Sequence, residues 1–371
     1  MKKTEAFIIT CLFALFLILP LVMTVFSDKE DFSEWENRNL AKFPEISSDS
    51  VLSGEFGTGF ERYLADHFVW REGFVKLKRG VNSALGIREE NGIIISESAL
   101  FSIPDFTLSE NVLSSVEAIN LFASKTDADV SLLLVPSSAS LFPEELPAFA
   151  PTSREGEVIL EVYSHLDGVR GIDVSNAFKK EAFEDVFYKT DHHWTSFGAS
   201  LAFSQFLGTE TAFEFEKVAE DFQGTYSSRM GQVFSESDKV EKCLSGDKFK
   251  KMTVYNGQKS EVYPSMYFED YLSKKDKYSY FLGQNELVVT LESENTSGKT
   301  LLMFKDSYAH SFVQCASDEY ERVILVDMRY VNKPLAFVLR EAGVDIEGVT
   351  DVLFLYSTDT FKDLNNLFMI N

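Results

Sequence analysis

The longest apolar segment of this chain lies near its N-terminus. Residues 6–26 contain no charged side chain, and Lys2 and Lys3 precede them. At about 1.5 Å per residue, a helix over this segment crosses a hydrocarbon core of about 30 Å. We therefore expect residues 1–27 to form a cytoplasmic tip and one transmembrane anchor, with the rest of the chain outside the membrane. A cleaved signal peptide is the alternative, but no pair of small residues marks a cleavage point.

Residues 28–100 mix aromatic and charged positions. Apolar side chains recur near helical spacing between Phe56 and Leu77, which predicts helices after an extended lead-in. Asn91-Gly92, followed by three isoleucines, predicts a turn into a strand. We interpret this stretch as a helical lead-in segment that precedes the main domain.

From residue 101 to 371, short apolar runs alternate with amphipathic segments. The runs predict strands at 130–135, 172–174, 300–304, 323–326 and 352–355, and helices at 155–166, 195–206, 308–316 and 334–341. Continuous apolar strands separated by helices predict an α/β domain with a mostly parallel sheet covered on both faces. The polar, Tyr-rich and Lys-rich stretch at about 210–298 interrupts this rhythm, and we interpret it as an insertion.

Composition and charge exclude two broad classes of protein. Of 371 residues, 45% are hydrophobic, which fills a sizeable core and excludes disorder as the main state. Lys and Arg number 35 against 58 Asp and Glu, for a net charge of -23. Without Lys2, Lys3 and Glu5 on the cytoplasmic side, the counts become 33 and 57, or -24. So acidic a surface lacks the basic footprint of a nucleic-acid-binding protein, and we expect no such partner.

Three cysteines are too few for a disulfide framework. Cys11 lies in the apolar segment, which leaves Cys243 and Cys315 in a compartment that permits disulfides. These two residues form either one bridge or two separate buried thiols.

The residues that follow the predicted strands carry the candidate chemistry, because ligands of an open parallel sheet bind beyond the carboxyl ends of its strands. Ser307 follows the strand at 300–304 and directly precedes a helix. There the hydroxyl is held at the sheet edge, and the backbone N–H lies at a helix N-terminus, where an oxyanion is stabilised. This position suits a nucleophile, although serine is also an ordinary helix cap.

A nucleophilic serine needs a base, and the chain has five histidines. The spacing of Asp191 and His193 lets a carboxylate orient an imidazole and select its tautomer. His310, one helical turn after Ser307, is an alternative base without an acidic neighbour in sequence. His192 suggests a metal instead, but metal sites need three or four converging ligands, and neither HExxH nor a Cys/His cluster is present. We therefore expect no metal.

The sequence Asp191-His192-His193-Trp194 resembles the signature of the DHHW proteins of Gram-positive bacteria. These proteins are related to the alginate O-acetyltransferase branch of the SGNH hydrolase-like superfamily. The resemblance also covers the N-terminal span and the motifs Glu36-Asn37-Arg38-x-Leu40-x-x-Phe43-Pro44, Val135-Pro136, Phe142-Pro143-x-x-Leu146-Pro147, Phe222-x-Gly224-Thr225-Tyr226, Tyr280-Phe281-x-Gly283-x-Asn285, Lys305-Asp306-Ser307-Tyr308 and Asp327-x-Arg329-Tyr330.

This resemblance implies an SGNH hydrolase-like, flavodoxin-like fold and a triad of Ser307, His193 and Asp191. Gly283-x-Asn285 is similar to the glycine-x-asparagine element of that fold, so Asn285 is expected to donate to an oxyanion together with the Ser307 N–H. We also expect Asp306 and Arg329 near the substrate. One departure is Lys305, which stands where the Gly-Asp-Ser motif has glycine, although Lys-Asp-Ser is usual in the DHHW group.

The function that the resemblance implies is extracytoplasmic O-acetylation of cell-surface or secreted glycans through an acetyl-serine intermediate. No cofactor is implied. The acetyl donor would be a membrane-bound O-acyltransferase partner, and the acidic surface favours a neutral glycan acceptor. Two alternatives remain open: a glycan or ester deacetylase with the same triad, and a non-catalytic envelope-assembly or glycan-binding protein.

Overall fold

The computed structural model of the chain describes residues 3–33, 38–230, 234 and 236–371. Glu36 and Asn37 of the first motif lie outside the described residues. The chain divides into two units, one of Met1–Arg88 with Ser228–Val233 and the other of Glu89–Ser227 with Phe234–Asn371. The predicted boundaries between anchor and lead-in segment, near residue 27, and between lead-in segment and main domain, near residue 100, stay predictions.

The first unit is mainly helical. Its elements are α1 Lys3–Phe26, β1 Phe32–Ser33, β2 Arg38–Asn39, α2 Ser48–Ser53, α3 Glu55–His67 and α4 Arg71–Ala84. Among the described residues, α1 is the one helix long and apolar enough to cross a membrane, a property that signal sequences share. The helices predicted between Phe56 and Leu77 are confirmed as α3 and α4. The Phe43 ring packs against three rings of α3, those of Phe56, Phe60 and Tyr63.

The second unit opens with a small antiparallel sheet of β3 Glu89–Glu90, β4 Ile93–Ile95 and β5 Leu100–Phe101. Asn91 and Gly92 connect its first two strands with φ values of 53° and 74°. Two successive left-handed residues are what a tight two-residue hairpin turn requires, and Asn-Gly tolerates them well. The predicted turn into a strand is confirmed.

Eight strands form the central sheet of this unit. They are β6 Asp129–Val135, β7 Arg170–Gly171, β10 Phe249–Tyr255, β11 Ser260–Tyr263, β12 Val288–Ser293, β13 Thr300–Lys305, β14 Arg322–Val326 and β15 Asp351–Ser357. A separate antiparallel pair is β8 Phe215–Phe222 with β9 Asp238–Cys243. The order across the central sheet is β11-β10-β12-β14-β13-β15-β6-β7. The strand predicted at 172–174 is wrong in its bounds: β7 covers the two residues before it, and only Ile172 extends the ladder, by donating to Leu132 O at 2.9 Å.

The sheet is mixed. Strands β14, β13, β15, β6 and β7 run parallel, whereas β12, β10 and β11 add an antiparallel edge. These three antiparallel strands come from the stretch at 210–298 that was interpreted as an insertion, so that stretch widens the sheet as well as interrupting the chain order. Hairpin-type connections make this possible, since they need no crossover helix.

Helices cover both faces of the central sheet. After residue 88 they are α5 Glu110–Ala123, α6 Ser138–Leu141, α7 Glu155–Ser164, α8 Ser175–Phe178, α9 Phe183–Val186, α10 Ser196–Leu207, α11 Thr225–Met230, α12 Ala309–Phe312, α13 Leu335–Ala342 and α14 Thr358–Asp363. Alternate residues of each strand enter opposite cores: Leu301 and Met303 join one hydrophobic cluster, and Leu302 and Phe304 join the other. The predicted α/β fold with helices on both faces is confirmed.

Cys243 and Cys315 are free thiols that lie side by side in the core. Both are fully buried, and their sulfur atoms are 4.0 Å apart. A bond between sulfurs requires about 2.05 Å, so the two residues are neighbours without a bridge.

Candidate active site

A tight loop before α10 presents the Asp-His-His-Trp sequence. Phe187 and Trp194 pair across the base of the loop, and Tyr188 N–H donates to His193 O at 3.2 Å. The helix predicted at 195–206 is α10, and Thr195 caps it by accepting from Gly198 N–H at 3.0 Å, a role for which threonine is a preferred residue type. The loop is therefore fixed at both ends by the strand-like bridge and the helix cap.

Within this loop the Asp191 carboxylate orients the His193 ring. Asp191 Oδ1 accepts from the His193 backbone N–H at 3.0 Å and lies 2.6 Å from His193 Nδ1. A carboxylate at Nδ1 favours the tautomer that carries its proton there, which leaves Nε2 as an acceptor. His193 Nε2 lies 2.7 Å from Ser307 Oγ, well inside hydrogen-bond reach.

Ser307 lies in the turn between β13 and α12, at the carboxyl end of a central parallel strand. Asp191 and His193 are buried, whereas Ser307 is only partly buried. The structure thus brings together the three residues that the sequence proposed as a triad. Their catalytic roles stay a prediction.

The second oxygen of Asp191 is held by the loop that follows β8. Asp191 Oδ2 accepts from Thr225 N–H at 2.6 Å. Burial acts to raise the pKa of Asp191, but the imidazoles of His192 and His193 and this hydrogen bond outweigh burial and hold the pKa below its ordinary value. Asp191 therefore stays ionised at neutral pH, which is the state that orients and stabilises an imidazolium.

Gly224 explains why a glycine precedes Thr225 in this loop. A Cβ at Gly224 would lie 2.3 Å from Asp191 Cβ and 2.4 Å from Asp191 Oδ2. Only a residue without a side chain lets the backbone approach the carboxylate closely enough for Thr225 to donate. The motif around Gly224, noticed in the sequence only as part of a resemblance, thus has a direct physical role at Asp191.

Two reciprocal hydrogen bonds tie the His193 loop to the Ser307 turn. The Trp194 indole N–H donates to Tyr308 O at 3.0 Å, and the Tyr308 hydroxyl donates to His192 O. Trp194 is fully buried and packs edge-on against Tyr308. Each motif therefore supplies one aromatic side chain that fixes the backbone of the other, and the His193–Ser307 distance follows from this double tie.

Tyr278 is a site residue that the sequence reasoning missed. Its ring stacks on the His193 ring at 3.8 Å between centroids and 9° between planes. Its hydroxyl donates to Ser307 O at 3.0 Å and shares a hydrogen bond with Ser311 at 3.1 Å. One side chain thus limits rotation of the imidazole and fixes the peptide of the serine. The only signal in the sequence was its position two residues before the Tyr280-Phe281 motif.

Lys305 forms a buried polar cluster behind the serine. Its Nζ donates to Asn285 Oδ1 at 3.1 Å, lies 3.0 Å from His310 Nε2 and lies 3.5 Å from Asp327 Oδ2. Burial lowers the pKa of Lys305 against the opposing charge of Asp327. Burial and then the Lys305 charge hold the pKa of His310 well below its ordinary value, so His310 is neutral and accepts from Lys305. His310 is thus engaged by Lys305, away from the base position.

The remaining predicted site residues have mainly structural contacts. Asp306 is buried; its Oδ1 accepts from Tyr308 N–H at 2.9 Å, and its Oδ2 accepts from Ser357 N–H at 2.8 Å, so its carboxylate fixes the turn of the serine. Arg329 forms a two-point ion pair with Asp327 at 2.9 and 2.6 Å. Gly283 has a φ of 76°, which favours glycine, and a Cβ there would meet the Phe268 ring at 3.1 Å.

His192 lies beside the triad with its side chain 33% exposed. Its ring centroid is 3.8 Å from that of His193, and burial followed by the proximity of His193 lowers its pKa to about 4. One ligand atom each from Asp191, His192 and His193 falls within 4.8 Å, a spacing that a metal ion accepts. However, both nitrogens of His193 already face hydrogen-bond partners, so a metal there would have to break the contact with Asp191 or with Ser307. The expectation of no metal stays a prediction.

Comparison with known proteins connects this geometry to a family. Residues 110–268 match the SGNH hydrolase-like domain of the acetyltransferase AlgX, a range that includes Asp191 and His193 and ends before Ser307. The resemblance to this branch and to the DHHW proteins is confirmed. A probable alginate O-acetylase AlgJ of Azotobacter vinelandii is 22% identical over 189 residues, which cover 48% of each chain. The chain thus spans about half the length of the curated relatives it matches.

Two solved structures show the same fold at low sequence identity. A DHHW family protein from Eubacterium siraeum is 21% identical, with a TM-score of 0.63 over 76% of this chain and 95% of its own. Bacillus cereus PatB1, solved with a sulfonyl adduct, is 18% identical, with a TM-score of 0.60 over 74% of this chain and 97% of its own. At these identities the likeness establishes the SGNH-like fold and nothing finer.

We predict that Gly224→Ala separates Thr225 from Asp191. The new methyl group overlaps the carboxylate, so Asp191 must rotate and the imidazole loses its partner. Hydrolysis of an activated acetyl ester should fall by at least about a hundredfold, because a misplacement of about 1 Å in a catalytic group costs that much. Gly156→Ala is the matched control, since a Cβ there meets nothing nearer than Ser140 Oγ at 3.9 Å. Equal ester hydrolysis by both variants would contradict the role given to Gly224.

Proposed function

We propose that this chain is an extracytoplasmic, membrane-anchored O-acetyltransferase that modifies glycan hydroxyls. The observation that carries the proposal is the hydrogen-bonded series from Asp191 through His193 to Ser307 at the carboxyl end of β13. The match to the AlgX domain and the similarity to probable alginate O-acetylases support acetyl transfer as the reaction class. A serine, an imidazole and a carboxylate hydrogen-bonded in this order are the parts of a covalent acyl-transfer site.

The first half-reaction acetylates Ser307. His193 Nε2 accepts the hydroxyl proton while Ser307 Oγ attacks the carbonyl carbon of the acetyl donor. The tetrahedral intermediate collapses, the bond to the leaving group breaks, and the leaving group takes the proton from His193. Asp191 stays ionised and stabilises the transient imidazolium. The product is an acetyl ester on Ser307.

The second half-reaction transfers the acetyl group to the glycan. A sugar hydroxyl gives its proton to His193 Nε2 and attacks the acetyl carbonyl. Collapse of the second tetrahedral intermediate breaks the bond to Ser307 Oγ, which recovers its proton from His193. Water in place of the sugar gives hydrolysis by the same steps, so the preference for transfer depends on how well the acceptor excludes water.

The oxyanion of both intermediates needs donors. We assign them to the Ser307 N–H and the side-chain amide of Asn285. Lys305 supports the second assignment, because it donates to Asn285 Oδ1 and so leaves the Nδ2 end of the amide for another acceptor. Lys305 is therefore proposed as a positioning residue that acts through Asn285.

The anchor and the donor are parts of the same proposal. With α1 across the membrane and Lys2 and Lys3 on the cytoplasmic side, the second unit lies outside, where acetyl-CoA is absent. A membrane-bound O-acyltransferase partner is then the expected acetyl donor, and the single span keeps this chain beside that partner. A net charge of -23 favours neutral over acidic glycans at low ionic strength.

We predict that a sulfonyl fluoride modifies Ser307 covalently. Ser307 Oγ attacks sulfur while His193 Nε2 takes the hydroxyl proton, and fluoride leaves. Mass spectrometry of the peptides should find the adduct on Ser307 alone. Ser307→Ala should give no adduct, and His193→Ala should react far more slowly because the hydroxyl loses its base. His165→Ala, which replaces an exposed histidine outside the site, should react like the native chain. Labelling of another serine, or unchanged labelling in His193→Ala, would contradict the proposed triad.

We predict a different signature for Asn285. Replacing it with aspartate keeps an acceptor for Lys305 but removes the N–H that faces the oxyanion and adds a repelling charge. Asn285→Asp and Asn285→Ala should both lower kcat for ester hydrolysis by about 10²–10³, the usual loss for an oxyanion donor. Gln284→Ala, its neighbour, is the control with an expected kcat near native. Native kcat in Asn285→Asp would show that this amide does not stabilise the oxyanion.

A further inference from the structure

The start of α4 is tied to the end of the apolar helix α1. Val69 N–H donates to Thr24 Oγ1 at 2.9 Å, and Thr24 is almost fully buried although most of α1 is exposed. Thr24 lies two residues before Phe26, the last residue of α1, which is about 3 Å along the helix axis. If α1 crosses a bilayer, Val69 and the residues after it lie at the boundary between hydrocarbon and headgroups.

From this boundary α4 presents an apolar face to its surroundings. Phe74, Leu77 and Val81 of α4, together with Trp70 directly before the helix and Leu85 directly after it, are between 43% and 71% exposed. Intervals of three and four residues place Phe74, Leu77 and Val81 in one stripe along the helix. Three exposed apolar side chains on one helix face, with one more at each end of the helix, exceed the scattered exposure of an ordinary surface, and such a patch marks a contact with a membrane or with another protein.

The charge of α4 favours a lipid membrane over another protein as the partner of this apolar face. In sequence the helix carries four basic residues and one acidic residue, REGFVKLKRGVNSA, in a chain whose net charge is -23. Lys78 is exposed beside the apolar stripe, and Lys76, also exposed, lies on the other side of the helix, where it forms an ion pair with Glu72 at 3.8 Å. Basic residues that flank an apolar helix face attract anionic lipid headgroups, whereas the rest of this acidic chain repels them.

We propose that α4 lies in the membrane surface, with its apolar stripe in the acyl-chain boundary and its lysines among anionic headgroups. This inference rests on the proposed membrane anchor and goes beyond it, because it gives the chain a second lipid contact. Trp70, a residue type that prefers the interface, would lie at the point where the span ends and the surface helix begins. The two contacts together would restrict the tilt and rotation of α1.

The test uses the full chain in vesicles of phosphatidylcholine and phosphatidylglycerol without any other protein. An environment-sensitive fluorophore is attached to Leu77→Cys on the apolar stripe or to Glu72→Cys on the other side of α4, each in a Cys11→Ser background. Cys243 and Cys315 are fully buried and stay unlabelled in the folded chain. Labelling of Cys11 in the native chain reports separately on the span. Nitroxides at shallow and deep positions of the lipid tails then quench each probe according to its depth.

The proposal predicts a blue-shifted probe at position 77 that shallow nitroxides quench several-fold more strongly than the probe at position 72. The probe on Cys11 should respond best to deep nitroxides. A water-like spectrum and equal, weak quenching at positions 77 and 72, with Cys11 quenched, would overturn the surface helix and leave the anchor in place; the stripe would then be free for a protein. An unquenched Cys11 would overturn the anchor and the surface helix together.

Discussion

The carboxylate of Asp191 is the point on which the candidate site depends. It accepts hydrogen bonds from the backbone and the ring of His193 in its own loop and from the backbone of Thr225, so one buried charge joins two segments of the chain. A buried carboxylate is costly unless its oxygens are satisfied, and removing any partner exposes that cost. The absence of a side chain at Gly224 is the condition that lets the third partner approach.

Around this charge, aromatic side chains convert two distant motifs into one rigid unit. Trp194 and Tyr308 exchange hydrogen bonds with each other's backbone, and Tyr278 presses on the His193 ring while holding the Ser307 peptide. Preorganisation of this kind matters in acyl transfer, because rate depends on angstrom-level placement of nucleophile and base. In the Asp-His-His-Trp motif, Asp191 thus orients the ring of His193 and Trp194 ties the loop to the Ser307 turn, while His192 lies partly exposed beside the His193 ring.

Local signals in the sequence were enough for the parts of the fold that local physics decides. The Thr195 cap, the Asn91-Gly92 turn and the parallel strands β6, β13, β14 and β15 follow from capping, left-handed backbone and apolar runs, and the structure has each of them. The juxtaposition of Asp191, His193 and Ser307 also followed from strand ends and a resemblance; their catalytic roles await experiment. The antiparallel strands β10–β12 were missed because Lys, Glu, Ser and Thr interrupt their apolar positions, so they lack the continuous apolar character of buried parallel strands. Tyr278 and the Lys305–Asn285 pair were missed because stacking and buried hydrogen bonds depend on tertiary contacts that no local pattern encodes.

The central claim is that Ser307 carries an acetyl group between donor and glycan. The most direct measurement mixes the full chain in detergent with an activated acetyl ester, quenches early and locates the modification by mass spectrometry of its peptides. The account predicts one acetyl group on Ser307, no acetylation in Ser307→Ala, and faster loss of the acetyl group when a neutral oligosaccharide is added, with the acetyl recovered on the sugar. An acetyl group on a different residue, or acetylated sugar formed at the native rate by Ser307→Ala, would contradict it.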